Sequence, residues 1–253
     1  MCGRFALTAT PDQAKMFFDL LEVGDFPPRY NIAPTQPVLV VTATPRHEPG
    51  SNLPDRASQL VRWGFIPSWA KDLKTMPLLI NARSETAAEK NTFRAAMRHR
   101  RVLFPASGFY EWRRQGGKPV QAYWVRPKGG GLVAFGGLME TWHEPGGSEI
   151  DTSAILTTSA NEAISHIHHR MPVVVRPEHF SRWLDCVGNQ PRDVADLLEP
   201  VQPDFFEAIP VSDKVNKVAN TGQEVQEPVA PETDAPAEKG PRTPESSAQL
   251  KLF

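Results

Sequence analysis

The stretch RVLFPASGFYEWRRQGGKPVQAYWVRPKGGGLVAFGGL, residues 101–138, decides the fold class. Its apolar runs, RVLFPA, GFYEW, VQAYWVR and LVAFGGL, are short and rich in β-branched and aromatic residues. The turns QGGK and KGGG between them supply the left-handed backbone that tight hairpins need. SAILTTSA (153–160) and PVVV (172–175) continue the series, and FEAIPV (206–211) reads as a last strand. Such spacing predicts a largely antiparallel β-structure that curls into a barrel.

Upstream, PVLVVTA (37–43) and LVRWGFI (60–66) read as two more strands. TPDQAKMFFDLLEVG (10–24) predicts a helix, with Thr10 as N-cap, Pro11 in the first turn, Gln13 closing a capping box and Gly24 beyond the end. Met16, Phe17, Leu20 and Leu21 form its expected buried stripe. Residues 86–100 are expected to be helical in whole or part, and 176–186 and 192–200 to be helices. The fold class is therefore α+β: one domain, residues 2–222, with helices flanking the curled sheet.

Residues 223–253 differ in kind. They carry six acids against three bases, and 223–248 contain five prolines and no aromatic residue. Such a segment buries too little apolar surface to order itself, so it is expected to be a disordered acidic tail. The remainder of the chain is mildly basic, within a net charge of −1. With two cysteines, Cys2 and Cys186, among 253 residues there is no disulfide framework, which points to a reducing compartment. No apolar run approaches the ~18–20 residues of a membrane span, and no signal pattern opens the chain. The expected location is the cytoplasm, and nothing calls for more than a monomer.

The chain starts MCGRFALT. Removal of Met1 is expected before a residue as small as cysteine, and it leaves Cys2 with a free amine beside its thiol. A 1,2-aminothiol traps an aldehyde twice: the amine forms a Schiff base, then the sulfur closes a five-membered thiazolidine by a proximity-driven step. The competing reading makes Cys2 a small hydrophobe on the first strand. Three further stretches bear on the choice. Asn81 and Arg83, two apart, share a face at a strand end, where Asn81 either caps a turn or lines a pocket. Glu111 lies among Phe109, Tyr110 and Trp112, and is either kept protonated as a general acid or paired with a neighbouring arginine. His166, His168, Arg170 and Pro172 alternate before a buried strand, and the histidines are either surface residues or catalytic. His166 and His168 with Cys2 lack a partner to complete a metal site, so no metal is expected.

Taken in order, MCGRF (1–5), RYNIAP (29–34), WGFIPSW (63–69), INARSET (80–86), FYEW (109–112) and IHHRMP (167–172) resemble the SRAP family, the SOS-response-associated peptidases, whose members are abasic site processing proteins. The resemblance covers residues 2–215. It implies a single α+β domain around a barrel-like β-structure, and Cys2 as a nucleophile that crosslinks to the opened sugar of an abasic site in single-stranded DNA. It also implies Asn81 orienting the crosslinked residue, Glu111 transferring protons, His168 opening the deoxyribose ring, and Arg4, Arg83 and Arg170 holding phosphates, with Thr157 near the site. No cofactor is implied. His169 stands where some relatives have an acid, and Asn91, with Arg94 close by, where some have a base. Trp69 offers a surface on which a base can stack, whereas Trp63 suits a core.

Two other functions fit parts of the sequence. Class II glutamine amidotransferases also begin Met-Cys-Gly, which makes an N-terminal-nucleophile peptidase or amidohydrolase the alternative, with Asn81 at an oxyanion site; their later motifs are absent here. The closing QLKLF resembles the bacterial sliding-clamp-binding pentapeptide. Gln249, Leu252 and Phe253 are then its anchors, on a leash made of the tail.

Overall fold

The computed structural model describes residues 2–44, 51, 53–73, 76–144 and 146–231. The first half contributes β1 (Arg4–Leu7), α1 (Pro11–Phe18), β2 (Arg29–Ile32), β3 (Pro37–Ala43), β4 (Arg56–Trp63), β5 (Asn81–Arg83), α2 (Ser84–Ala87) and α3 (Arg94–His99). The glycine-punctuated half forms β6 (Arg101–Ala106), β7 (Gly108–Gln115), β8 (Lys118–Pro127), β9 (Val133–His143) and β10 (Glu149–Ser159). There follow α4 (Glu162–Ser165), β11 (Arg170–Pro172), β12 (Val174–Val175), α5 (Phe180–Leu184), a 3-10 turn over Pro191–Leu198 and β13 (Phe206–Val211).

Five strands close on themselves. β10 pairs with β4, β4 with β3, β3 with β6, β6 with β9, and β9 returns to β10. The expected barrel is therefore present, within an α+β domain. Its pairing is antiparallel except where β10 runs parallel to β4 and β5. A second sheet, in the order β13-β8-β7-β1-β2, packs against it. No helix among the described residues is long and apolar enough to cross a membrane.

Alternation along the barrel strands divides the core in two. Val38, Val40, Val61, Trp63, Phe104, Phe135 and Ile155 meet Phe5, Phe109 and Val125 of the second sheet. Leu103, Val41, Leu138 and Leu156 face the other way, onto Phe18, Met97, Phe180 and Trp183 of the helical layer. Phe5 lies edge-on to Trp63 at 5.1 Å and to Phe104 at 6.4 Å, so β1 is pinned by its side chains as well as its ladder. Gly137 makes room for this arrangement: a Cβ there would come within 2.2 Å of the Phe104 ring.

Two expectations need correcting. The first helix is shorter than its apolar spacing suggests. Its capping box at Thr10 and Gln13 forms as expected. However, Asp19 takes a left-handed conformation (φ 52°) and ends the helix at Phe18, and the Leu20 N–H turns back to the Lys15 carbonyl. Ala14 and Phe18 are the helical residues that are buried, and Leu20 is buried beyond the helix end. Met16 and Leu21 are 81% and 55% exposed. The packed chain also runs on past residue 222. Gln223–Gln226 form a 3-10 turn that buries Val225 completely, and the Val229 N–H reaches the Pro210 carbonyl. The closing motif with Gln249, Leu252 and Phe253 lies outside the described residues.

Candidate active site

Cys2 leads directly into β1, the strand between β2 and β7. Register pairs Arg4 with Tyr110, so the residue two before Arg4 lies beside the stretch that begins at Glu111. Cys2 is buried, and its carbonyl accepts a hydrogen bond from Asn81 Nδ2 at 2.9 Å. Burial pushes the thiol pKa well above its ordinary range, and the Glu111 charge adds to the effect, so the sulfur is held protonated at neutral pH. Asn81 opens β5 and is fixed by parallel pairing with Ile155 of β10. Its Oδ1 is buried and has no hydrogen-bond donor among the described residues. That acceptor is available to an N–H group on the residue whose carbonyl Asn81 already holds.

Glu111 is 3% exposed in the middle of β7. Of its aromatic neighbours, Phe109 shares its face, whereas Tyr110 and Trp112 point to the opposite side, into a separate cluster. Burial raises the Glu111 pKa and favours the neutral carboxyl. Its Oε1 lies 4.0 Å from Nδ1 of His168. His168 stands between α4 and β11, held by its N–H to the Ile164 carbonyl at 3.1 Å. The backbone N–H of Arg170 donates to its Nδ1 at 3.0 Å. Burial lowers the ring pKa to about 4, so the imidazole is neutral at pH 7. Nδ1 also lies 3.2 Å from the Arg170 carbonyl, so the backbone of residue 170 meets this nitrogen in either tautomer.

The arginines differ in what they already hold. Arg4 donates to Asn31 Oδ1 at 2.8 Å and to the Val215 and Asn216 carbonyls at 2.7 and 3.2 Å, which ties β1 to the loop after β13. Asn31 completes that tie through three carbonyls of residues 215–220. Arg170 is buried, forks onto both carboxylate oxygens of Glu85 and reaches the Thr157 carbonyl. Thr157 is fully buried behind it, so it acts on Arg170 and not on a ligand in solvent. Arg83 is exposed and forms no side-chain hydrogen bond or ion pair among the described residues. Trp69 is 57% exposed, and Trp63 is fully buried as expected. His166 is exposed, and among the described residues no three His, Cys, Asp or Glu side chains are grouped to hold a metal. Cys186 lies apart from this cluster, in a cavity of about 730 Å³ lined in part by Arg56, Arg100 and Arg182.

The spacing of the sequence did not single out Asn31 or Glu85. Glu85 had a local signal, being two beyond Arg83 and four beyond Asn81, but its partner Arg170 is 85 residues away.

The profile of the SOS response associated peptidase (SRAP) family matches residues 1–218. The chain belongs to the SRAP family. Among its SRAP relatives is the abasic site processing protein YoqW of Bacillus subtilis, 39% identical over 230 residues, which are 90% of this chain and 99% of that one. The abasic site processing protein YedK of Escherichia coli is 31% identical over 240 residues, covering 90% of this chain and all of the relative. The chicken abasic site processing protein HMCES is 30% identical over 83% of this chain and 68% of its own length. In structure, the SRAP domain resembles a crystal structure from Bacteroides thetaiotaomicron with a TM-score of 0.75 over 90% of this chain and 100% of the other. At 22% identity that likeness concerns fold alone. A phage-related protein from Bordetella bronchiseptica aligns with a TM-score of 0.63 at 26% identity, over 83% of this chain and 94% of the other.

Proposed function

We propose that this protein processes abasic sites in single-stranded DNA by capturing the opened sugar on Cys2. The observation that carries the reading is the convergence of four groups on one buried spot: the Cys2 thiol, the Asn81 amide that grips its carbonyl, the buried Glu111 carboxyl, and a neutral His168 facing that carboxyl. The name shared by the relatives agrees with it.

The chemistry follows from these groups. Met1 is removed. Arg83 meets a backbone phosphate with its open guanidinium, and Arg4 and Arg170 frame the pocket from positions fixed by Asn31 and Glu85. Trp69 offers its ring to a base. His168 assists opening of the sugar to its aldehyde. The Cys2 amine adds to C1′, and Glu111 supplies the proton with which water departs, leaving a protonated Schiff base. The sulfur then adds to the same carbon, its proton passes to Glu111, and the C1′–S bond closes the thiazolidine. Asn81 Oδ1 accepts from the ring N–H. The balance is aldehyde plus aminothiol giving thiazolidine plus water. The product is a covalent DNA–protein crosslink that shields the lesion. We further propose that QLKLF docks on a sliding clamp, which would concentrate the protein at replicating DNA in the nucleoid; deletion of 249–253 should then abolish clamp binding, and unchanged affinity would refute it.

Intact mass spectrometry tests the main reading. The active protein should lack Met1 and, with an abasic oligonucleotide, should shift to the sum of both masses less one water. Retained Met1 in crosslinking-competent material would overturn it. So would turnover of glutamine or peptides without an adduct, the outcome expected of an N-terminal-nucleophile hydrolase.

A further inference from the structure

Residues 81–85 bracket the site. Asn81, at one end, holds the carbonyl of Cys2. Glu85, at the other, takes the guanidinium of Arg170 in a two-pronged grip. Arg170 in turn brings its own backbone to Nδ1 of His168, the N–H at 3.0 Å and the carbonyl at 3.2 Å. The Arg170 side chain is 9% exposed and Glu85 49% exposed, so the acid is the accessible end of a chain of contacts that leads inward to the imidazole. No other carboxylate pairs with Arg170 among the described residues; its remaining side-chain partner is Thr157 of β10. A bidentate arginine–carboxylate pair fixes orientation as well as distance. Backbone pairing of Arg170 with Ser159 is the last rung at the start of a three-residue strand, so the side-chain grip is what completes the hold on that end.

We infer that Glu85 is a positioning residue for His168. Through Arg170 it keeps the backbone of residue 170 against Nδ1, and so fixes the orientation and the tautomer of the imidazole. One short segment thereby places both partners of the reaction: the nucleophile from position 81 and the ring-opening histidine from position 85. This rests on the reading of the site given above, in which His168 acts on the closed sugar.

The test separates ring opening from capture. Crosslinking rates are measured with a natural abasic oligonucleotide, whose sugar must open, and with an oligonucleotide bearing an acyclic aldehyde, which needs no opening. Glu85→Ala should slow the first at least tenfold more than the second. Glu85→Gln, nearly isosteric and retaining one acceptor for Arg170, should recover most of the loss. The ¹⁵N shifts of His168 should report a single tautomer in the parent protein and in Glu85→Gln, and a mixture of tautomers in Glu85→Ala. Equal slowing on both substrates with an unchanged His168 spectrum would overturn the inference. Tighter binding of undamaged single strands by Glu85→Ala, without loss of rate, would also overturn it and make Glu85 a competitor of phosphate for Arg170. If the parent protein forms no adduct with either substrate, the proposed function fails. The His168 spectrum of Glu85→Gln and Glu85→Ala still decides whether Glu85 sets the tautomer.

Discussion

Two regions of this molecule each hold a buried arginine and a cysteine, and they are finished differently. Arg101 is 2% exposed and spends its guanidinium on the carbonyls of Met97, Trp183, Asp185 and Asn189, with its plane over the Trp183 ring. Cys186 adjoins it. Arg170 belongs to the other region, with Cys2, and its Nε is buried without a partner among the described residues. Nearby, Asn81 keeps an unmatched Oδ1, whereas Asn31, also buried, has every polar atom bonded. Full satisfaction marks Arg101 and Asn31, which tie distant segments together, although Arg56, on the cavity beside Cys186, also keeps a buried unmatched Nε. Buried polar atoms left unmatched cost stability, and those of Asn81 and Arg170 lie in the region of Cys2, where a ligand can complete them.

The sharpest way to break this contrast is to exchange the cysteines in turn. Cys2→Ser should abolish the heat-stable adduct, since no thiazolidine forms without the sulfur, and Cys186→Ser should crosslink within twofold of the parent by intact mass. The reverse result would assign the chemistry to the wrong region. Next come two substitutions with crossed effects. Glu111→Gln should slow crosslinking by about 10²–10⁴-fold, the span of a lost proton-transfer group. It should not lower the melting temperature at pH 8. Burial raises the folded-state pKa of Glu111 above its unfolded value, so whatever stability its proton confers is lost as pH rises through that folded pKa. A neutral amide avoids that loss. Arg101→Ala should do the opposite. It should cost about 3–5 kcal/mol in urea unfolding, because several carbonyls lose their donor, while the protein that remains folded crosslinks at the parental rate.

Smaller effects sharpen the picture within the site. Arg83→Ala should weaken binding of undamaged single strands and lower the slope of log affinity against log salt by about 0.7, the value for one phosphate contact. An unchanged slope would remove Arg83 from the interface. His168, with a folded pKa of about 4 against an unfolded reference of ~6.5, refuses a proton that the unfolded chain accepts. Stability should therefore fall as pH drops from about 6.5 towards 4. His168→Gln should flatten that part of the profile, measured as urea midpoints at pH 7, 6 and 5.

Much of the sheet was legible in local pattern. PVLVVTA and FEAIPV coincide with β3 and β13, and the QGGK and KGGG turns fall between the strands they were read to join. Closure of the barrel was not legible, because the β9–β10 return and the parallel β10–β4 pairing depend on which distant strands meet. Gly24 offered itself as the helix stop, but the chain used Asp19, a residue that tolerates the left-handed region without announcing it. In the site, alternation correctly put Asn81 and Arg83 on one short strand, and the six motifs identified the family. Alternation states which residues share a face, not which face is wet. Hence the burial of Thr157 and the prior engagement of Arg4 and Arg170 emerged only from the folded chain. Arg4 is held by a loop some 211 residues downstream, beyond any local signal.

The position of β1 has a mechanical consequence. The strand that begins two residues after Cys2 is laddered on both edges, to β2 and to β7, and its Phe5 is wedged among core rings. A motor reeling in DNA held at Cys2 would load that strand lengthwise, against two rows of hydrogen bonds in shear. If Cys2 holds the lesion as proposed, that tether is rooted in a sheet strand paired on both sides, and tension along it is borne by the whole domain.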